Sequence, residues 1–157
     1  MQIKLLCVGK TEDGWLRDGI RVYEQRLGHY VSFDMAELIP QKKWNTLPPD
    51  LQKQKEAALM RPHMVKSDMV IALDERGKQF RSIGFADFLQ QQMNRSVKNM
   101  LFLIGGPWGF SNEVTDAAHM QLSLSPMTFS HQMIRLFFTE QLYRAMTILR
   151  NESYHNE

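Results

Sequence analysis

Asn99 to Glu140 reads NMLFLIGGPWGFSNEVTDAAHMQLSLSPMTFSHQMIRLFFTE, and the architecture of the chain turns on this stretch. Met100 to Ile104 is an unbroken apolar run, the pattern of a strand buried on both faces of a parallel sheet. Gly105, Gly106, Pro107 and Gly109 end it. Ser111 then stands as an N-cap, with Asn112 and Glu113 suited to the positive first turn of a helix. Met120 to Leu124 alternates apolar and polar residues and reads as a second strand. Ser125-Pro126-Met127-Thr128 turns the chain, and helical spacing takes over from His131. Two irregular loops therefore leave the carboxyl ends of two strands, and in open α/β sheets ligands lie outside those ends. The first loop offers unhindered backbone N–H groups, the second hydroxyls and carbonyls. Together they read as one small-molecule pocket. Glycine and proline also punctuate ordinary turns, so spacing alone leaves both readings open.

Working outward, Ile3 to Val8 reads as the first strand and Trp15 to Leu27 as a helix, with Trp15, Leu16, Ile20, Tyr23 and Leu27 near helical spacing. Val31 to Leu38 is the second strand. Pro40 to Pro49 is a loop in which Trp44 can act as an anchor. Leu51 to His63 is a helix with Lys53, Lys55, Glu56 and Arg61 on its exposed side, ended or bent at Pro62. Met69 to Leu73 is a buried strand closed by a polar turn, Asp74-Glu75-Arg76-Gly77. Ser82 to Met93 is a helix with Ile83, Phe85, Phe88, Leu89 and Met93 inward. The last helix, His131 to Arg150, carries an apolar stripe of Ile134, Phe137, Phe138, Leu142, Ala145, Met146 and Leu149. Arg135, Glu140 and Arg144 are placed off that stripe, with Glu140 and Arg144 as an i, i+4 pair. Strands alternating with helices predict an α/β fold, a parallel sheet of about five strands covered on both faces. The strong stripe on the last helix can serve the core or a second copy of the chain.

Composition sets outer limits. A chain of 157 residues, with 43% hydrophobic and 23% charged side chains, fits one globular domain spanning 1–157. A formal net charge of +2 permits a nucleic-acid partner without demanding one. The single cysteine, Cys7, sits in an apolar strand and reads as buried filler; one cysteine forms no internal disulfide, which suits a reducing cytoplasm. No apolar run is long enough to span a membrane. Gly9-Lys10-Thr11 resembles the end of a phosphate-binding P-loop, but Lys4 stands where the motif needs its first glycine. The 105–109 loop lacks the G-x-G-x-x-G spacing of dinucleotide-binding folds, and no G-x-S-x-G elbow is present. His29, His63, His119, His131 and His155 show no metal-ligand spacing, so no metal site is expected. His131 reads as a polar residue in the first turn of the last helix. The polar tail would be called frayed on composition, and only an ordered partner gives Tyr154 and His155 a role.

Four stretches then match a known pattern. YEQRLG at Tyr23 to Gly28, ALDERGK at Ala72 to Lys78, FLIGGPWG at Phe102 to Gly109 and LSPMTFSHQMIR at Leu124 to Arg135 closely resemble the RlmH family of ribosomal RNA methyltransferases. Tyr143-Arg144-Ala145 and the terminal Tyr154-His155 fit as well, so the likeness runs the length of the chain. The resemblance implies the α/β trefoil knot of the SPOUT methyltransferases, a topology that general rules of chain connection would reject. It implies S-adenosylmethionine as cofactor, a homodimer, and N3 of a pseudouridine in large-subunit (23S) rRNA of the assembled ribosome as the methyl acceptor. It assigns Leu73, Gly105, Leu124, Ser125, Pro126, Met127, Thr128 and Phe129 to the cofactor. On this basis His155 and Tyr154 are candidates for the base or its neighbour, and Arg144 for an anion or phosphate clamp. Family members often carry a basic residue after the Tyr-His pair, whereas Asn156 and Glu157 follow here. Two rival readings stay open: a non-catalytic ribosome-binding or assembly factor, and a methyltransferase acting on another RNA such as tRNA.

Overall fold

The computed structural model describes residues 1–155; Asn156 and Glu157, and with them any contact from the extreme tail, lie outside the described residues. The elements are β1 (Gln2–Val8), α1 (Gly14–Leu27), β2 (Ser32–Leu38), a 3-10 turn (Lys42–Thr46), α2 (Pro49–Met64), β3 (Met69–Gln79), α3 (Ser82–Asn94), β4 (Asn99–Ile104), α4 (Asn112–Ala117), β5 (Met120–Ser123) and α5 (Met133–Leu149). The strands form one sheet in the order β2-β1-β4-β3-β5, and every pairing is parallel. This is the predicted α/β sheet.

The unbroken apolar runs follow from that arrangement. Side chains alternate between faces along a strand. Ile3, Leu5 and Cys7 of β1 join Ile71, Met100, Phe102 and Ile104 under α1, α3 and α5. Leu6 and Val8 join Val70, Ala72, Leu101 and Leu103 under α2 and α4. Each face thus has its own core, and each apolar side chain fully buried there contributes roughly 1.5–3 kcal/mol. Phe102 meets Phe138 at 4.5 Å between ring centroids, which seats α5 on the middle of the sheet. Cys7 is fully buried, and burial pushes its thiol up to about 12, so it is inert filler as predicted.

The differences in side-chain burial from the sequence reading have one common cause, the angular phase of a helix. Leu16, Ile20 and Leu27 set the buried stripe of α1, and Trp15 is a full residue step, 100°, away from it and exposed. Ile83 and Phe137 are exposed for the same reason. Conversely, Arg135 lies in phase with Phe138, Thr139, Leu142 and Met146 and is fully buried, and Glu56 is in phase with Gln52 and Met60 and is buried as well. Charge placed both residues outside; spacing places them inside. Helix α5 begins at Met133, after a short turn that includes His131. Pro62 does not end α2, which runs to Met64; the helix continues past it with the loss of the one hydrogen bond its own N–H would have donated. Trp44 is buried in the 3-10 turn, with Lys55 Nζ 5.7 Å from its ring centre, so it does anchor that loop.

β3 also outlasts its predicted end. Leu73 pairs with Leu122, the next four residues bulge out, and Lys78 and Gln79 return to pair with Leu122 and Ser123. Gly77 is the closest point of this crossing. A Cβ there would lie 2.5 Å from the Gln121 carbonyl carbon and 2.6 Å from Leu122 N. Both are backbone atoms that no side-chain rotation can move. Gly77→Ala is therefore expected to destabilise the protein by about 1–3 kcal/mol, as overpacking does, read as a lower midpoint in urea unfolding.

Candidate functional site

The carboxyl ends of β3, β4 and β5 open onto one cleft of about 490 Å³. Its walls are the 73–76 bulge of β3, the 104–110 loop after β4, and the chain from Leu122 to Ile134 leading into α5. Leu73, Gly105, Leu124, Ser125, Met127, Thr128 and Phe129, residues the resemblance assigns to the cofactor, line this cleft; Pro126 is not among the lining residues. Two large apolar side chains stand at the rim, Trp108 at 58% exposure and Met127 at 74%.

The glycine loop is shaped by its lack of side chains. Gly109 adopts φ +74°, a left-handed conformation that glycine takes without strain, and its N–H donates to Gly106 O at 3.0 Å. A Cβ on Gly105 would meet the Gly109 carbonyl at 3.1 Å. A side chain at 105 would therefore press on the turn, and glycine lets the loop fold tightly on itself beside the cleft.

The second loop is held by its own hydroxyls. Ser123 Oγ donates to Ser125 O at 2.8 Å, and Ser125 Oγ accepts from Met127 N at 2.9 Å. Thr128 Oγ1 donates to Glu75 Oε2 at 2.5 Å and so ties this loop to the β3 bulge. Ser130 Oγ accepts from Met133 N at 3.1 Å, the contact of a helix cap. In the bulge, Asp74 Oδ1 accepts from Arg76 Nε and N, each at 3.0 Å, and the Arg76 side chain holds the Asp74 carboxyl below its usual range. His131 lines the cleft, and burial, with Arg135 behind it, pushes its imidazole down towards the neutral form. Apolar walls with a few fixed polar groups suit a ligand that is part ring and part zwitterion.

The other three candidates form a separate group at the far end of α5. Arg144 Nη2 and Nε donate to Glu140 Oε1 at 2.7 and 3.1 Å, the predicted i, i+4 pair. Tyr154 OH donates to the same Oε1 at 3.0 Å, its ring meets Tyr143 edge-on at 4.7 Å, and the Arg144 guanidinium sits 4.8 Å from its centre. His155 Nδ1 is 3.4 Å from Arg144 Nη1. The tail is thus docked, and Tyr30 OH donates to Glu152 Oε2 at 2.5 Å to pin its start. Burial and the contacts with Tyr23 and Glu140 raise the Tyr154 phenol above its ordinary range, so it stays protonated and acts as a donor. None of Arg144, Tyr154 and His155 lines the cleft of its own chain. Ile134 at the cleft and Arg144 are ten residues apart, about 15 Å along a helix.

The family model described as "Predicted SPOUT methyltransferase" matches residues 1–155. The ribosomal RNA large subunit methyltransferase H of Christiangramia forsetii is 52% identical over 157 residues, 99% of each chain. The protein of that name from Phocaeicola vulgatus is 48% identical over 158 residues, the whole of both chains. The chain belongs to the RlmH family of SPOUT methyltransferases. Among solved structures, TrmJ from Z. mobilis ZM4 superposes with a TM-score of 0.53 at 10% identity, covering 93% of this chain and 70% of that one, a likeness of fold alone.

In this SPOUT methyltransferase two residues that the sequence reading set outside brace the cleft from behind. Arg135 Nη2 donates to Val8 O at 2.8 Å, Nη1 to Gly9 O at 3.1 Å and Thr11 Oγ1 at 3.0 Å, and Nε to His131 O at 3.0 Å. Glu37 Oε1 lies 3.6 Å away and accepts from Thr11 N at 2.6 Å. Glu56 contacts the glycine loop from α2. The signal for both was present, since each sits at core spacing on its helix. Among the described residues no three of His, Cys, Asp and Glu are grouped as a metal would need, and no helix is long and apolar enough to cross a membrane.

Proposed function

We propose that this chain is an S-adenosylmethionine-dependent methyltransferase that modifies N3 of a pseudouridine in large-subunit (23S) rRNA, working in the cytoplasm on the assembled ribosome. The cleft carries this reading. It stands at the carboxyl ends of three parallel strands, with a glycine loop open to backbone contact and a hydroxyl-braced loop opposite. The relatives' shared name, ribosomal RNA large subunit methyltransferase H, directs the reaction to rRNA. The residues fit the cofactor: Leu73, Ile104 and Leu122 offer an apolar wall for the adenine ring, and the 105–109 and 124–129 loops offer backbone donors and acceptors. Glu75 puts negative charge beside the cleft, where Asp74 is paired with Arg76, and that charge suits a cationic sulfonium. Threading of the C-terminal chain as a trefoil knot accords with this segment being clasped between the β3 bulge and the β4 loop, through contacts such as Thr128 to Glu75.

Bound there, the cofactor supplies a methyl group on a sulfonium, which departs as a neutral thioether. The protein's share is to aim N3 along that line, and orientation of this kind supplies roughly 7–11 kcal/mol of a barrier. The N3 proton must also leave, and a positioned base is needed to take it. His155 is assigned that task, with Tyr154 as the donor that orders the tail and Arg144 as the cation beside the developing anion. Because these three lie away from the cleft of their own chain, the protein is assigned as a homodimer in which each tail serves the partner's cleft. With a net charge of +2 and a short chain, it has little positive surface for naked RNA, which favours recognition of ribosome shape.

The test is methyl transfer from labelled S-adenosylmethionine to ribosomes lacking the modification, beside free large subunits and bulk tRNA. The expected result is label at N3 of a ribosomal pseudouridine, mainly in assembled ribosomes. Label in tRNA would overturn the substrate while keeping the chemistry. Cofactor binding with no label anywhere would favour a binding or assembly role.

A further inference from the structure

Glu56 lies on α2, a helix that contributes nothing to the cleft wall, yet its side chain reaches the cleft's glycine loop from beneath. The residue is 2% exposed. None of the ion pairs among the described residues includes it. Its surroundings are neutral: Gln52 Nε2 donates to Oε1 at 2.9 Å, and both carboxylate oxygens lie against the Cα of Gly106. Oε2 is buried with no hydrogen-bond partner. Burial pushes the carboxyl above its ordinary range, against the lowering effect of the nearby Gln52 and Gly106 N–H groups. A carboxylate so placed costs stability, and a leucine of similar volume would pack with Ala57, Met60 and Phe110 without that cost.

The loop explains what the carboxylate is for. A Cβ on Gly106 would fall 2.8 Å from both Glu56 oxygens, so the contact exists only because this residue is glycine. The Glu56 carboxylate occupies the space beside the Gly106 Cα, and the Gly106 C=O accepts from Gly109 N at 3.0 Å. The carboxylate packed against its Cα and the hydrogen bond at its C=O together fix this residue, and with it the path of the 105–109 turn across the cleft. We infer that Glu56 is a positioning residue: it holds the Gly106 peptide so that the glycine loop is preformed for the cofactor. This rests on the reading that the cleft takes S-adenosylmethionine.

The experiment compares Glu56→Leu, Glu56→Gln and the unaltered full-length protein in three measurements: thermal midpoint, amide hydrogen exchange across 105–109, and calorimetric binding of S-adenosylmethionine. In Glu56→Leu the midpoint should hold or rise, since an unpaired buried charge is replaced by packing. Exchange at Gly106 and Gly109 should nevertheless quicken, and Kd should rise about tenfold, the scale of one hydrogen bond to a charged group. Glu56→Gln keeps an acceptor oxygen and should return exchange and Kd most of the way. Unchanged exchange and Kd in Glu56→Leu, with or without a lower midpoint, would overturn the inference. Failure of the unaltered protein to bind S-adenosylmethionine would overturn the cofactor reading instead, and loop exchange would still decide whether Glu56 holds the loop. If Glu56→Leu does not fold, Gly106→Ala supplies the same test, because it drives a methyl group into the carboxylate while leaving Glu56 in place.

Discussion

Replacing Arg135 with methionine is expected to cost the fold about 3–5 kcal/mol, the range seen when one partner of a buried ionic network is removed. The side chain is fully buried, and its three nitrogens reach four oxygens in two segments, residues 8–11 at and after the end of β1 and His131 before α5. Two of these, Val8 O and Gly9 O, belong to the end of β1, where Gly9 turns the chain at φ +80°. Methionine fills most of the volume but donates no hydrogen bond. It would leave those carbonyls and the Thr11 hydroxyl unpaired in a dry interior, and Glu37 without its nearest cation. Lysine should recover only part of the loss, because one ammonium cannot reproduce the fork of a guanidinium. Urea unfolding of the two variants gives the free energies directly. A loss below about 1 kcal/mol for methionine, typical of surface sites, would mean that the network does not fasten α5 to the sheet. The bond to His131 O adds a second expected effect: the approach to α5 loosens, and the cleft binds cofactor less tightly even where the protein still folds.

Arg135 also shows where reading the sequence succeeds and where it stops. The central strands β1, β3 and β4 were legible because each is buried on both faces, so apolar runs such as Met100 to Ile104 carry the signal without any help from neighbours. The cleft loops were legible because Gly105 and Gly109 must be glycine for local reasons, and because a strand end followed by such a turn is a recurring ligand position. The braces behind the cleft were not. Arg135 and Glu56 stand at core spacing, but a charged side chain is buried only where partners meet it, and those partners come from 127 and 50 residues away in sequence. Gly77 was read as part of a closing turn because the return of β3 depends on β5, more than forty residues later. Docking of the tail was hidden for the same reason: Glu152 is held by Tyr30, and Tyr154 by Tyr23 and Glu140.

His155→Ala is expected to lower turnover by about 10²–10⁴-fold, the contribution of a positioned general base, while cofactor affinity stays close to that of the unaltered protein. The second half of that expectation follows from placement, since His155 is not among the residues lining the cleft of its chain. Subunit mixing separates a base acting across the dimer from one acting within a chain. Gly105→Val fills the glycine loop with a side chain where even a Cβ already crowds the Gly109 carbonyl, and should abolish cofactor binding. Neither variant is active alone. In the proposed two-fold dimer, however, a mixed pair would set the intact cleft of the His155→Ala subunit against the intact tail of the Gly105→Val subunit. Equal mixing followed by exchange should therefore restore about a quarter of the normal activity, one good site in half of the dimers. If each tail served its own chain, every site in every dimer would carry a defect and mixing would restore nothing. Loss of cofactor binding in His155→Ala alone would instead assign the histidine to the cleft's structure and remove it from proton transfer.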